Sequence, residues 1–330
     1  MKALLTRHWF LVGLAVVIVT GILTGVQLGD SANSTVMRTW FENSARGLTG
    51  VVLFLMSFTL DSRKLAEALR SPRAVLWASL VNFGVLPLLA WPVSKWQLNP
   101  DYLLGVIITA SVPSTMASAS VWTRKAGGND AVSLPVTILT NGLCFVVTPL
   151  WLRTQIGATV SLDTQKLIVD LLIFAMLPIA LGQLSRLSPP IARIADAFKT
   201  ALSNSAQVCI LIIIFGSALR AGPKIAESSD GLGPLCVVVV SMASIHLVAI
   251  GIAWWGGKLI GLAREDALAA AFAGSQKTLP IGAYLASRMA EQGASGLVVF
   301  PILIYHISQL VIDSLIADRA ARETPKTHGP

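Results

Sequence analysis

Charged residues are scarce in this chain. Asp, Glu, Lys and Arg make up 13% of its 330 residues, whereas soluble domains carry about 25%. Hydrophobic residues make up 54%, the mean hydropathy is +0.70, and long apolar runs follow one another with short connectors between them. This pattern leaves no room for a separate soluble domain and predicts a polytopic membrane protein.

The charge that is present is mostly positive, with a net charge of +8. In a soluble protein such an excess would suggest a nucleic-acid partner. In a membrane protein it is typical of cytoplasmic loops that face anionic lipid, so we expect membrane lipid as a partner and no nucleic acid. No protein partner is predicted.

Cysteine is also rare, which limits the chemistry of the chain. Cys144, Cys209 and Cys236 all lie in apolar runs without the spacing of metal ligands, so we expect small core residues rather than a disulfide framework or a metal site. The apolar segments also lack the paired carboxylates or the Ser/His arrangement of an intramembrane enzyme. We therefore expect a protein that is not an enzyme and holds no cofactor.

Ten apolar segments have roughly the length needed to cross a bilayer, although the second is short. They are residues 9–29, 46–60, 74–94, 102–124, 131–153, 168–186, 202–220, 233–257, 266–287 and 293–316. We predict an all-α membrane protein with ten transmembrane helices, in which residues 1–330 form one transmembrane domain.

Lysine and arginine in the connectors predict the orientation. Of the 25 basic residues, 16 fall on the side that carries both termini, 8 fall on the opposite side, and the remaining one is Lys277. The positive side is the cytoplasmic side, so we predict a multi-pass protein of the cell inner (plasma) membrane with both termini in the cytoplasm. Residues 317–330 are predicted to be a short cytoplasmic tail.

Ten segments divide into two sets of five, about residues 1–153 and 166–316. Because five is odd, two related halves would insert in opposite orientations as inverted repeats. The fourth segment of each half is interrupted by polar residues, at residues 111–120 around Pro113 and at residues 274–280 between Gly274 and Pro280. Paired interruptions at matching positions indicate the binding site of a secondary transporter.

Lys277 lies inside the second interruption, within the apolar segment at residues 267–286. A charged side chain at bilayer depth usually faces a cavity or a partner, which makes Lys277 a candidate site residue. The alternative is that its ammonium reaches the membrane surface from a short helix end. About ten apolar residues on either side disfavour that alternative.

Hydroxyl and amide side chains cluster around the two interruptions, and their oxygens suit a hard cation such as Na⁺ or donate to a carboxylated or sulfonated substrate. The alternative is that Ser and Thr only allow close helix packing. For His246 and His306 we expect packing roles rather than a proton relay, because no intramembrane carboxylate is expected beside them. Asp170 and Asp313 are expected near the membrane surface.

The chain resembles the bile acid:sodium symporter family, especially its bile acid symporter-like branch. The matching stretches are Pro113-Ser114-Thr115 with Ala117-Ser118, residues 133–149, and Ser275-Gln276-Lys277-Thr278-Leu279-Pro280. Supporting matches are Leu60-Asp61-Ser62-Arg63, Asn82-Phe83 with Leu86-Pro87, and Pro301-Ile302-Leu303-Ile304-Tyr305-His306. The resemblance covers essentially the whole chain.

The resemblance implies a panel domain and a core domain, with the fourth and ninth helices crossing at their unwound centres. It assigns one sodium site to Ser118, Ser133 and Thr137, and a second to Asn82, Ser275 and Gln276. Substrate is implied to bind between the two domains, near the crossing, and we take Thr115, Lys277 and Thr278 as its candidate ligands.

Three positions depart from the sodium-coupled pattern. Phe272 replaces the family carboxylate that both sodium sites share, Lys277 replaces an Asn, and Ala119 replaces a second Asn. We hypothesise that the Lys277 ammonium stands in for a bound sodium and attracts an anionic substrate. If this buried ammonium loses its proton during the cycle, transport could instead be coupled to H⁺, so the coupling ion is Na⁺ or H⁺.

These expectations describe a secondary active transporter of a small organic anion that works by alternating access. The alternative is a membrane regulatory or sensor protein that binds a ligand on the same fold without net transport.

Overall fold

The structure, a computed structural model, describes residues 9–60, 71–115, 118–156, 163–227 and 231–323. Across these ranges the regular structure is helical, and no strand occurs in them. The matched connector Asp61-Ser62-Arg63, Ala117, and residues 324–330 of the expected tail lie outside the described residues.

The first six α-helices are α1 (Trp9–Leu28), α2 (Thr35–Phe58), α3 (Pro72–Ser94), α4 (Pro100–Ser111), α5 (Ser118–Lys125) and α6 (Asp130–Ile156). The remaining ones are α7 (Thr164–Ser185), α8 (Pro189–Ala197), α9 (Lys199–Glu227), α10 (Gly233–Leu259), α11 (Arg264–Ser275), α12 (Leu279–Glu291) and α13 (Phe300–Glu323).

Seven helical segments in the described ranges are long and apolar enough to cross a membrane. They are Trp9–Asn33, Pro72–Ser94, Asp130–Ile156, Thr164–Ser185, Lys199–Glu227, Gly233–Leu259 and Gly296–Arg322. Together they confirm that the chain is an all-α, multi-pass membrane protein, and each overlaps one of the apolar segments predicted from the sequence.

The largest differences from the predicted boundaries lie in charged helix ends. Helix α2 begins at Thr35 rather than near residue 46, because its first turns are polar and carry little hydropathy signal. Helix α13 runs to Glu323, so residues 317–323 of the expected tail are helical. The short helix α8 falls between two predicted segments, with Ile191 and Ile194 exposed on its surface.

Small residues let α1 and α9 approach closely. A Cβ on Gly25 would lie 2.0 Å from the carbonyl oxygen of Leu219, and a Cβ on Gly222 would lie 2.6 Å from that of Ile22. With Gly21 four residues before Gly25, α1 carries the spacing that allows two membrane helices to pack backbone to backbone. This contact joins the first helix to a helix late in the chain.

Replacing Gly25 with Leu should therefore separate α1 from α9. Overpacking of this kind costs about 1–3 kcal/mol or more, and we expect a lower thermal midpoint for the detergent-purified protein. Gly47→Leu is the matched control, because nothing lies within 4 Å of a Cβ there. Equal midpoints for the two variants would contradict this packing.

Candidate functional site

Two non-helical segments cross inside the protein. One follows Ser111, the last residue of α4, where Pro113 cannot donate a main-chain hydrogen bond. The other lies between α11 and α12 at residues 276–278. The Thr278 amide donates to the Pro113 carbonyl at 2.9 Å, and the Ser114 hydroxyl donates to the Ala273 carbonyl at 2.6 Å. The two segments are thus bonded directly to each other.

Each carbonyl of residues 111–115 accepts a hydrogen bond from outside its own helix. The donors, in order, are Thr148 Oγ1, Lys277 Nζ, the Thr278 amide, Asn141 Nδ2 and Thr137 Oγ1. Three of the five donors come from α6. Buried backbone oxygens need such partners, because water is excluded from the membrane interior.

The carbonyls of residues 273–277 are satisfied in the same way. Their donors, in order, are Ser114 Oγ, Asn82 Nδ2, Tyr305 OH, Asn82 Nδ2 again and Gln309 Nε2. These donors come from the first interruption, from α3 and from α13. The hydroxyl and amide groups that mark the sequence around the two interruptions therefore serve as backbone donors.

A π-helical turn at Val81–Val85 leaves one carbonyl of α3 available for a contact with Lys277. The Leu86 amide donates to Val81, five residues back, and Pro87 has no amide hydrogen. The Asn82 carbonyl is therefore left without a donor from its own helix, and it faces Lys277 instead. The Phe83 carbonyl, which would normally accept from residue 87, takes a hydrogen bond from Trp151 Nε1 at 2.6 Å.

Lys277 is fully buried, with 0% of its surface exposed. Its ammonium donates to the Asn82 carbonyl at 2.7 Å and to the Val112 carbonyl at 2.7 Å, and it lies 3.3 Å from Asn82 Oδ1. The ammonium nitrogen also lies 5.8 Å from the centroid of the Phe83 ring. These oxygens are all uncharged, and Val112 lies at the partially negative C-terminal end of α4.

Gln276 connects this crossing to a buried carboxylate. Its Oε1 accepts from Thr115 and Ser118, each at 2.7 Å, and its Nε2 donates to Asp313. The other oxygen of Asp313 lies 2.8 Å from His246 Nε2. A chain of side chains therefore runs from the first interruption to α10.

This chain closes on the second interruption. The other ring nitrogen of His246 lies 3.3 Å from Tyr305 OH, which donates to the Ser275 carbonyl at 2.6 Å. His246 and Asp313 are both 0% exposed. The network therefore holds Gln276 and Ser275 from one side while Lys277 binds on the other.

Two expectations from the sequence are wrong here. Asp313 does not lie near a helix end: it is fully buried, and α13 continues for ten residues beyond it to Glu323. His246 does have a carboxylate beside it, and that carboxylate is Asp313. The sequence contains a pattern that could have predicted a buried Asp313. His306, Gln309 and Asp313 are spaced by three and four residues and share one face of an apolar helix.

The structure brings some predicted site residues together and leaves others apart. Asn82, Thr115, Ser118, Gln276 and Lys277 meet at the crossing, while Thr278 joins it through its backbone. Ser133 pairs with Thr123 at 2.7 Å, Thr137 donates to the Thr115 carbonyl, and the Ser275 hydroxyl bonds within its own helix to Ala271. Pro113, Gly274 and Pro280 all lie within three residues of a helix end at the two interruptions.

A cavity of about 300 Å³ lies between α2, α5, α6 and α9. Its polar lining consists of Thr59, Ser120, Arg124, Asp130, Lys199, Ser203 and Gln207. The Arg124 side chain is 55% exposed and lies 3.5 Å from Asp130. The buried residues Thr115, Lys277 and Thr278 are not part of this lining.

A buried ion pair joins α12 to α7. Arg288 in α12 binds Asp170 in α7 at 2.7 Å, and the two side chains are only 5% and 14% exposed. Asp170 was expected near the membrane surface, and the structure shows it engaged by a side chain from a helix that follows the second interruption. The pair thus links α7 to α12.

Comparison with known proteins identifies the family. The model of the SBF-like CPA transporter family matches residues 8–322. The chain belongs to this family. The finding confirms the resemblance to the bile acid:sodium symporters that the motifs around Pro113 and Gln276 indicate.

Individual relatives within this group are distant. The probable sodium/metabolite cotransporter BASS4 of Oryza sativa subsp. japonica is 29% identical over 282 residues, which cover 81% of this chain and 66% of the relative. The putative symporter YfeH of Escherichia coli is 24% identical, covering 86% of each chain. Sodium/bile acid cotransporter 7 of Danio rerio is 24% identical, covering 94% of this chain and 92% of the relative. The chain thus matches slightly less than two thirds of the rice protein's length.

Phe272 differs from Asp313 in its surroundings. It is fully buried in an apolar cluster with Leu268, Ala126 and Ala317. The carboxylate that accepts from Gln276 is that of Asp313, on α13.

Lys277→Met should destabilise the protein, because it leaves the carbonyls of Asn82 and Val112 buried without this donor. Each buried, unsatisfied polar group costs about 1–3 kcal/mol. We expect a clearly lower thermal midpoint in detergent. Lys166→Met, at an exposed lysine, is the matched control and should leave the midpoint unchanged; a similar midpoint for both variants would contradict the contacts of Lys277.

Proposed function

We propose that this protein is a secondary active transporter of a small organic anion, and that the Lys277 ammonium takes the place of a coupling sodium ion. The observation that carries the proposal is the contact of Lys277 Nζ with two carbonyls and with Asn82 Oδ1 at the crossing. We place the protein in the inner (plasma) membrane with cytoplasmic termini, as the basic residues of the connectors predict.

The proposed architecture has ten membrane spans in two inverted repeats. Seven continuous segments are long enough to span, α2 is an eighth, and the pairs α4/α5 and α11/α12 are two interrupted spans. Each interrupted pair is then the fourth of five. Helices α1, α2, α7 and α9, which pack on one another, form the proposed panel, and the remaining spans form the core.

A sodium ion does not fit the second family site as this chain builds it. The Asn82 carbonyl and Oδ1 already face the ammonium, and two cations cannot share these oxygens without strong repulsion. At the first family site, the Ser118 hydroxyl donates to Gln276, the Ser133 hydroxyl pairs with Thr123, and the Thr137 hydroxyl donates to the Thr115 carbonyl. The Asp313 carboxylate is bonded to Gln276 and His246 rather than directed at a cation site.

The cavity supports an anionic substrate of modest size. Its volume of about 300 Å³ is at the lower end of the range for small-molecule sites. Arg124 and Lys199 bring two positive charges to the lining and Asp130, 3.5 Å from Arg124, brings one negative charge, while hydroxyls and an amide line the walls. It lies between panel helices α2 and α9 and core helices α5 and α6, the interface at which alternating access would expose a substrate.

The two ends of this interface differ in a way that supports an inward-facing state. The cavity lies at the end that carries Arg124 and Lys199, which we assign to the cytoplasm. At the assigned outer end, the Asp170–Arg288 pair joins panel helix α7 to core helix α12 and is nearly buried. We infer that this pair closes the outer side and must separate when the transporter opens outward.

Sodium independence is the first test of this function. A thermal-stabilisation screen of small carboxylates and sulfonates identifies a ligand, which is then followed into proteoliposomes. Uptake should be equal with Na⁺ or K⁺ in the external buffer. Lys277→Ala should lower uptake by about tenfold or more, the effect of a shift of about 1.4 kcal/mol between states.

Strict Na⁺ dependence of the parent protein would refute the replacement of sodium by Lys277. An imposed pH gradient serves as the second arm, since stimulation by an inward proton gradient would identify H⁺ as the coupling ion. Binding of the ligand without uptake under any gradient would favour the regulatory or sensor function instead.

The outer ion pair gives a second test. Asp170→Asn should shift the protein toward the outward-open state, because it removes the charge that holds Arg288. In a background without native cysteines, Ser287→Cys next to the pair should then react at least about threefold faster with a membrane-impermeant maleimide added outside. The charge swap Asp170→Arg with Arg288→Asp should restore slow labelling. Equal labelling rates in all three proteins would exclude a gate at this pair.

A further inference from the structure

A second concave surface lies between helices that do not line the cavity. It is a groove of about 380 Å³ between α10, α11 and α13. Its walls are apolar along Leu247, Ile250, Leu268 and Ile316, and Arg264 and Arg319 also line it. Because the polar side chains of the lining are basic, the groove combines a long apolar surface with positive charge.

Aromatic residues show the depth at which the groove lies. Trp254 and Trp255 both line it, and Trp255 is 65% exposed. Lys258 Nζ lies 4.5 Å from the centroid of the Trp254 ring and 5.9 Å from that of Trp255. Tryptophan and lysine together at a helix end mark the level of the lipid headgroups. The exposed Leu247, three turns deeper on α10, would then face hydrocarbon.

The electrostatics of this end favour an anion. Lys258, Arg264 and Arg319 all lie there, on the side that the basic connectors assign to the cytoplasm, where anionic lipids are found. Of the acidic residues there, Asp266 accepts from Asn129 at 2.7 Å, Asp318 binds Lys125 at 2.7 Å, and the exposed Glu265 follows Arg264 in the chain. One Arg264 nitrogen donates to the Ala320 carbonyl at 3.0 Å, which fixes the guanidinium at the rim.

We propose that this groove binds one anionic phospholipid. Its phosphate contacts Arg264 and Arg319, since guanidinium groups match phosphate oxygens in geometry and charge. One acyl chain follows the apolar wall from Trp254 toward Leu247. The occupant is a lipid rather than a free anion because the basic rim continues directly into an apolar groove that opens to the bilayer.

The lipid would contact the interrupted helix α11. Ala271 and Phe272 both line the groove, and Gln276 at the crossing follows Phe272 by one turn. The site depends on the membrane location of the chain and not on the proposed transport, so the two proposals can fail separately.

The test measures the thermal midpoint of the purified, full-length protein in a neutral detergent. Short-chain phosphatidylglycerol should raise the midpoint by about 2 °C or more at tenfold its Kd. Phosphatidylcholine of the same chain length and glycerol phosphate alone should have little effect. Equal stabilisation by both lipids, or by glycerol phosphate alone, would overturn the proposal.

Two variants place the effect in the groove. The double variant Arg264→Gln, Arg319→Gln should lose most of the phosphatidylglycerol shift, while Arg193→Gln, at an exposed arginine on α8 of the same assigned side, should keep it. A shift lost equally in the Arg193 control would indicate general surface charge and overturn the site.

Gly251→Phe covers the case in which the arginine variant fails to fold. Gly251 lines the groove and nothing lies within 4 Å of a Cβ there, so a phenyl ring can fill the apolar part. It should abolish the shift, whereas Gly142→Phe, in equally open space on α6, should not. A concentration-dependent dimer that Gly251→Phe dissociates would assign the groove to a second copy of the chain and overturn the lipid.

Discussion

The structure depends on supplying donors to ten backbone carbonyls at the crossing of two interrupted helices. Residues 111–115 and 273–277 lie in or beside non-helical backbone inside the protein, where water cannot satisfy their oxygens. Side chains from α3, α6 and α13 provide most of the donors, and the two segments also bond to each other. The crossing is thus stable only when these helices are packed around it, and Lys277 is the one charged donor.

The charges at this crossing are separated rather than paired. Lys277 faces neutral oxygens on α3 and α4, while Asp313 is bonded to Gln276 and His246. Burying either charge is costly unless hydrogen bonds compensate for it, and each has them. Gln276, with one end on Thr115 and Ser118 and the other on Asp313, connects the two sides. A rearrangement of the interrupted helices would therefore change the surroundings of both charges together.

Much of this arrangement could be predicted from the sequence, because its causes are local. Pro113 explains where α4 ends, Pro280 is typical of the first turn in which α12 begins, and a lysine in an apolar segment indicates a buried site. Asp313 was expected near a span end because the predicted segment stops at residue 316, whereas α13 continues to Glu323. The Asn82 carbonyl lacks a donor from its own helix because of a π turn, which follows from tertiary contacts as well as from Pro87. The Asp170–Arg288 pair joins distant parts of the chain, so no local sequence pattern predicts it.

The central claim is that the Lys277 ammonium occupies the place of a sodium ion, and equilibrium binding of ²²Na⁺ to the purified protein tests it most directly. The parent should show no saturable binding at any Na⁺ concentration that leaves it folded. The comparison in which binding can appear is the variant that combines Lys277→Asn with Phe272→Glu, because it introduces the amide and the carboxylate that the family resemblance implies at these positions. Saturable ²²Na⁺ binding by the parent protein, with Lys277 in place, would contradict the account.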